Sequence, residues 1–172
     1  MTGDEVLALR LAAQDDVPVL HALIESGFRG ASARRGWTHE ADLLDDTRTT
    51  GAELSATIAD PQSRVLLLHL AEDLIGTVTV TNLGDARAYM GMLCVDPERQ
   101  SRGLGRRLIA AAEALAVQEF GARVMEMTVI DRRPELITAY EGCGYARTGE
   151  IRPFPVPSRD PLVFVVLDKA IG

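Results

Sequence analysis

The residues best suited to chemistry crowd into one run, Val95-Asp96-Pro97-Glu98-Arg99-Gln100-Ser101-Arg102-Gly103-Leu104-Gly105-Arg106-Arg107-Leu108. A strand ends, a loop follows, and a helix begins within the glycines. The first turn of a helix carries N–H groups with no helical carbonyl to bind. Gly103 and Gly105 remove side chains that would keep a ligand away from those groups. An anion placed there gains several backbone hydrogen bonds and the positive end of the helix dipole. Arg106 and Arg107 stand in the same first turn, where a cation opposes the dipole. That placement costs little when a polyanion occupies the site. The competing account is a solvated basic helix start with glycine as its cap. A Rossmann fingerprint is excluded, because Leu108 stands where its third glycine belongs. A Walker A loop is excluded because no Gly-Lys-Ser/Thr is present.

The elements around this run follow from periodicity and punctuation. Leu7–Leu11 alternates and reads as a strand. Val17-Pro18 after Asp15-Asp16 starts a helix that Gly27 should end. Arg29 to Asp46 reads as a loop with a short helix. Thr49 or Thr50 caps a helix through Ala59, stopped by Asp60-Pro61. Strands Arg64–Ala71 and Leu74–Thr81 form a hairpin joined at Glu72-Asp73, and a turn at Asn82–Asp85 leads into strand Arg87–Val95. Leu104, Leu108, Ala111, Leu115 and Ala112, Ala116, Phe120 give the helix Gly103–Phe120 an apolar face, and Gly121 ends it. A strand at Arg123–Ile130, a helix at Glu135–Cys143 and a strand at Tyr145–Ile151 come next. Pro153, Pro155 and Pro157 force an extended loop. Leu162–Leu167 is a continuous apolar run, the pattern of a strand covered on both faces. The result is a mixed α/β sheet of about seven strands flanked by helices, and 172 residues suit one domain with one core.

Gln100-x-x-Gly103-x-Gly105 after a strand ending in Leu93-Cys94-Val95 resembles the coenzyme-A signature of the GNAT (GCN5-related) N-acetyltransferase family. The likeness extends to the long helix, the strand 123–130, the tyrosine-bearing helix and Gly144-Tyr145. It is strong from about Arg87 to Leu167; before that only the order of elements agrees. It implies the acyl-CoA N-acyltransferase fold, a mixed and mostly antiparallel central sheet. It also implies acetyl-CoA as co-substrate, no metal, and a small-molecule amine as acceptor. Strands 87–95 and 123–130 should splay apart, with pantetheine pairing to the backbone of Leu93, Cys94 and Val95 like an added strand. The coenzyme's pyrophosphate should lie against Gln100, Ser101, Arg102, Gly103, Leu104, Gly105 and Arg106. Relatives often pair, which leaves room for a homodimer.

The same resemblance makes Tyr140 the general acid for the departing thiolate; a core aromatic on its helix is the bland alternative. The base is open. Counting back from Tyr140 in the family pattern lands on Thr128, which is not an acid. Glu126, two residues earlier, shares its face by strand parity. It acts directly or through water, unless it is a surface glutamate at a sheet edge or a water chain replaces it. Arg133 fills a position where many relatives carry an asparagine that contacts pantetheine. With Arg132 it contacts a coenzyme phosphate or a substrate carboxylate, or is solvated. The resemblance places the acceptor pocket in the stretch Arg29 to Arg48. Trp37, Arg34, Arg35 and Arg48 there, with Phe154 opposite, suit an amine that also bears a carboxylate, such as an amino acid; a loop anchor at Trp37 and a local salt bridge from Arg48 to Asp45 or Asp46 are the competing accounts. A protein or peptide amine is the alternative acceptor, and a non-catalytic acyl-CoA sensor is the alternative class.

Composition narrows the field further. Net charge is −7, which excludes a global basic footprint for nucleic acid. No apolar run approaches the roughly 18 residues of a membrane span. Asp4 and Glu5 stand where a signal peptide would be basic and then apolar, so a cytoplasmic location is expected. Cys94 and Cys143 lie outside any C-x-x-C pair and are read as reduced, buried thiols. His21, His39 and His69 form no metal-ligand pattern.

Overall fold

The computed structural model describes residues 6–28, 49–99, 102–153 and 162–172. Seven strands form one sheet: β1 (Leu7–Leu11), β2 (Ser63–Leu70), β3 (Asp73–Gly84), β4 (Arg87–Val95), β5 (Val124–Ile130), β6 (Ala146–Pro153) and β7 (Val163–Ala170). Four helices flank it among the described residues: α1 (Val17–Phe28), α2 (Gly51–Ala59), α3 (Leu104–Phe120) and α4 (Pro134–Gly142). The strand order is β1-β2-β3-β4-β5-β7-β6. Every neighbouring pair is antiparallel except β4–β5. That parallel pair is connected through α3, the crossover a parallel junction requires.

Strand alternation divides the core into two layers. Val65, Leu67 and Cys94 face Leu20, Leu23 and Ile24 of α1 and Leu54 of α2. Leu66, Leu68, Val78, Val80 and Met90 point the other way, toward Leu108, Ala112 and Ala116 of α3. Met125, Met127 and Leu167 continue that second layer beneath α3 and α4. Residues 65–68 are all buried because helices cover both faces of β2 there.

Several boundaries differ from the sequence expectation, each for an identifiable reason. Gly27 does not end α1, which runs on to Phe28. A side chain at Gly27 would place its Cβ 2.0 Å from Cys94 Sγ, so this glycine lets α1 approach β4. The β2–β3 turn is Ala71-Glu72 rather than Glu72-Asp73, since Leu70 pairs with Asp73. β3 continues through Asn82 to Gly84, and the turn is Asp85-Ala86, with φ of 52° and 58°. Two left-handed residues in a two-residue loop match the strand twist. β7 is covered less fully than its apolar run suggests: Val166 and Leu167 are buried, but residues 163–165 are only half-buried. Cys94 is buried as expected; Cys143 is half-buried. Thr50, not Thr49, is the N-cap of α2.

Candidate active site

The sheet opens between β4 and β5. Their parallel ladder covers only Arg87–Tyr89 against Val124–Glu126. β4 then continues to Val95 alongside β3, and β5 continues to Ile130 alongside β7. The cause lies in β4. From Thr77 to Thr79 of β3 the partners jump from Cys94 to Gly91, so β4 carries an extra residue. Met92 sits in this bulge with φ 53°. A bulge bends its strand and strengthens the local twist, which carries β4 away from β5. A left-handed methionine is a strained backbone, held here by the ladder on either side.

The resulting cleft has a volume of about 130 Å³. Tyr89 to Leu93 form one wall and Met127 to Ile130 the other. Arg133, Leu136 and Tyr140 enter from α4, and Phe164 from β7. Tyr140, half-buried, packs against the core while lining this space. Leu93, Cys94 and Val95 lie on β4 beyond its last pairing with β5.

The glycine loop stands where β4 hands over to α3. Gly103 is the N-cap of α3 with φ 73°, and no side chain caps the helix. A Cβ at Gly103 or Gly105 would meet nothing within 4 Å, so space is open above the first turn. Leu104 is buried and anchors that turn, while Arg102, Arg106 and Arg107 are exposed around it. The arrangement fits the pyrophosphate of a coenzyme: uncapped N–H groups, a positive dipole end, and three guanidinium groups. Arg99 is turned aside, pairing with Asp73 at 3.4 Å and Asp96 at 3.9 Å. Gln100 and Ser101, and the acceptor-pocket residues Trp37, Arg34, Arg35, Arg48 and Phe154, lie outside the described residues.

Two expectations on this site are corrected. Glu126 is no surface glutamate at a sheet edge. It is buried on an inner strand and forms an ion pair with Arg152 of β6. Arg152 also pairs with Glu150 at 2.9 Å, so one guanidinium holds two carboxylates, which raise its pKa. Glu126 is not among the residues lining the cleft; Thr128 is. Arg133 is not solvated either. It is buried, lines the cleft, and pairs with Glu135 at 2.5 Å. Pro134 holds the first turn of α4, as its position suggests.

Sequence reasoning passed over three features. Tyr89 OH and Thr128 Oγ1 share a hydrogen bond of 2.7 Å across the mouth of the split. Parity along β4 and β5 places both on one face, but only the register of a parallel pair shows that they meet. Arg152 had no local signal beyond standing two residues from Glu150, on the same face of its strand. The bulge at Met92 has none, because methionine carries no left-handed preference.

A mixed sheet that parts at its one parallel junction, with a glycine-started helix at the end of one lip and a tyrosine helix beside the other, is the frame of an N-acyltransferase. The family model described as "Acetyltransferase (GNAT) family" matches residues 28–145, and the chain belongs to that family. It is an acyltransferase of the N-acetyltransferase type. Similar solved structures include the ribosomal-protein-S18-alanine N-acetyltransferase of Escherichia coli, with TM-score 0.75 and 14% identity over 97% of this chain and 95% of that one. Spermidine N-acetyltransferase of Vibrio cholerae, solved with CoA and spermine, has TM-score 0.72 and 19% identity over 96% and 95%. The yncA protein of Salmonella typhimurium, solved with its cofactor acetyl-CoA, has TM-score 0.74 and 15% identity over 97% and 95%. At such identities the likeness concerns the fold. Among curated proteins none matches the sequence. No helix among the described residues is long and apolar enough to cross a membrane, and no group of three or more His, Cys, Asp or Glu is placed there to hold a metal.

Proposed function

We propose that the chain transfers the acetyl group of acetyl-CoA to the primary amine of a small molecule, by direct attack in a ternary complex. The observation that carries this reading is the split between β4 and β5, which Tyr140 lines, together with the uncapped start of α3 that follows β4 in the chain. Acetyl-CoA supplies an activated thioester. In this reading Leu93, Cys94 and Val95 offer backbone groups along one lip of the split. Gln100 to Gly105 with Arg106 hold the pyrophosphate. Arg133, buried in the cleft wall, contributes to coenzyme binding. Tyr140 donates its hydroxyl proton to the sulfur as the thiolate leaves, an assistance worth roughly 10²–10⁴ in rate. Glu126 serves as a remote proton acceptor through water, since it is paired with Arg152 and is not among the residues lining the cleft. The acceptor class, an amino acid or related carboxylate-bearing amine, rests on Arg34, Arg35, Arg48, Trp37 and Phe154 as sequence features.

The test is a thermal shift with acetyl-CoA, CoA, NAD and ATP at equal concentration. A ligand at 100 times its dissociation constant adds about 2.7 kcal/mol, which for a chain of this size raises the midpoint by roughly 5–10 °C. A rise with the two coenzyme-A forms alone is the expected result, followed by turnover on an amine panel with thiol detection. No rise with either form overturns the reading. Tyr140→Phe is then expected to lower kcat about 100-fold while leaving the acetyl-CoA dissociation constant within a factor of two.

A further inference from the structure

We propose that Tyr89 and Thr128 form a hydroxyl pair that positions the attacking amine at the point in the cleft where β4 and β5 part. The assignment rests on the acetyl-transfer reading above. The two hydroxyls meet at 2.7 Å and come from different strands. Tyr89 is the last β4 residue paired with β5, and Thr128 stands two residues beyond its partner Glu126. Their bond therefore spans the point at which the strands part. The direction of the phenol is set by Gly91. A Cβ there would lie 3.0 Å from Tyr89 Cε1, so the ring lies along its own strand over that glycine. Tyr89 and Thr128 line the two facing walls of the cleft that Tyr140 enters from α4.

The chemistry follows from the donor count. One hydroxyl of the pair donates to the other, which leaves one O–H to give and oxygen lone pairs to accept. A neutral primary amine has two N–H groups and one lone pair. When it donates an N–H to Tyr89 or Thr128, its lone pair remains free to be aimed at the thioester carbon. Glu126, which precedes Thr128 on the same face of β5, is engaged with Arg152, and Arg133 of the cleft wall with Glu135. Tyr89 and Thr128 are thus positioning residues that orient the amine in its reactive protonation state, and because each fixes the other they act as a unit.

The test uses the full chain and an amine that the wild type turns over. Tyr89→Phe keeps the ring and Thr128→Val keeps the shape, so each removes little besides the oxygen. Each is expected to lower kcat/KM for the amine roughly 10–100-fold, the scale of a small misplacement of a reacting group. The loss should fall mainly on kcat, with the acetyl-CoA dissociation constant, read by calorimetry, within twofold of wild type. The double variant should lose no more than the worse single one, and Thr128→Ser should restore most of the rate. Wild-type kcat/KM in Tyr89→Phe, losses that multiply in the double variant, or a parallel loss of acetyl-CoA affinity would each overturn the assignment while leaving acetyl transfer intact. A wild type that binds acetyl-CoA yet acetylates no amine overturns the proposed function, and this assignment with it.

Discussion

Gly27 and Cys94 share one volume. The missing side chain of the first is the space taken by the sulfur of the second, and Cys94 Sγ also reaches the Leu23 carbonyl at 3.7 Å. Gly27→Ala therefore overpacks the α1–β4 contact and is expected to cost about 1–3 kcal/mol in urea unfolding. Adding Cys94→Ala should return part of that loss, a coupling that independent sites would not show. Glycine in a helical sequence signals either a cap or a close approach, and only the packing partner decides which; hence Gly27 reads as a helix end. The phosphate loop is legible at this scale because uncapped amides, glycines and arginines are properties of neighbours in sequence. Thr128 is reachable by spacing from Tyr140, but its partner Tyr89 is 39 residues away in sequence, and no local pattern joins them.

The helices are pinned by side chains that tie one element to another. Thr50 and Glu53 close the start of α2 reciprocally: Glu53 N–H donates to Thr50 Oγ1 at 3.1 Å, and Thr50 N–H donates to Glu53 Oε2 at 2.9 Å. The Thr49 hydroxyl adds a donation to the same carboxylate at 3.1 Å. Together these hold the Glu53 carboxyl below its usual range, the Thr50 N–H contributing most. Thr50→Ala should lower stability by about 1 kcal/mol, measured by denaturant unfolding at pH 7. A Thr-x-x-Glu spacing announces this cap in the sequence, although Thr49 offers a rival. The end of α4 is tied differently. Tyr145, which follows it, donates to Glu113 of α3 at 2.9 Å, and Lys169 of β7 grips the same carboxylate at 3.0 Å. Burial and that acceptor push the Tyr145 hydroxyl well above the usual tyrosine range. Tyr145→Phe is expected to cost about 1 kcal/mol and to leave Lys169 holding Glu113. Nothing in the sequence connects positions 113, 145 and 169, because only the sheet order brings β7 next to α3.

At the scale of the molecule, the alternation of strands and helices specifies a mixed sheet, while the strand order depends on contacts too distant for periodicity to reveal. The insertion of β7 between β5 and β6 is one such contact. The edge strand β1 is tied to the start of α1 by Arg10, which donates to Asp16 at 2.7 and 2.8 Å. The Arg10 guanidinium, with a smaller contribution from the Ala13 N–H, holds the Asp16 carboxyl at about 2, below its ordinary 3.8. A carboxyl depressed in the folded state binds a proton more readily once unfolded, so its contribution is complete above the ordinary value and disappears as pH falls toward the folded one. Asp16→Asn should thus be less stable than wild type at pH 7, and the difference should close between about pH 4 and pH 2. Urea midpoints across that range read it directly.

The short seam between β4 and β5 has a mechanical meaning. Two half-sheets, β1–β4 and β5–β7–β6, are each laced along most of their length, yet three residue pairs join them to one another. Beyond the seam they share the layer under α3, the Tyr89–Thr128 hydrogen bond and the Arg87–Asp168 ion pair. Compliance in such a structure concentrates at its least-bonded line, so the opening angle of the V is the softest coordinate of the sheet. A strand-like molecule lodged there would complete the missing rungs and turn a hinged pair of plates into a single stiff one.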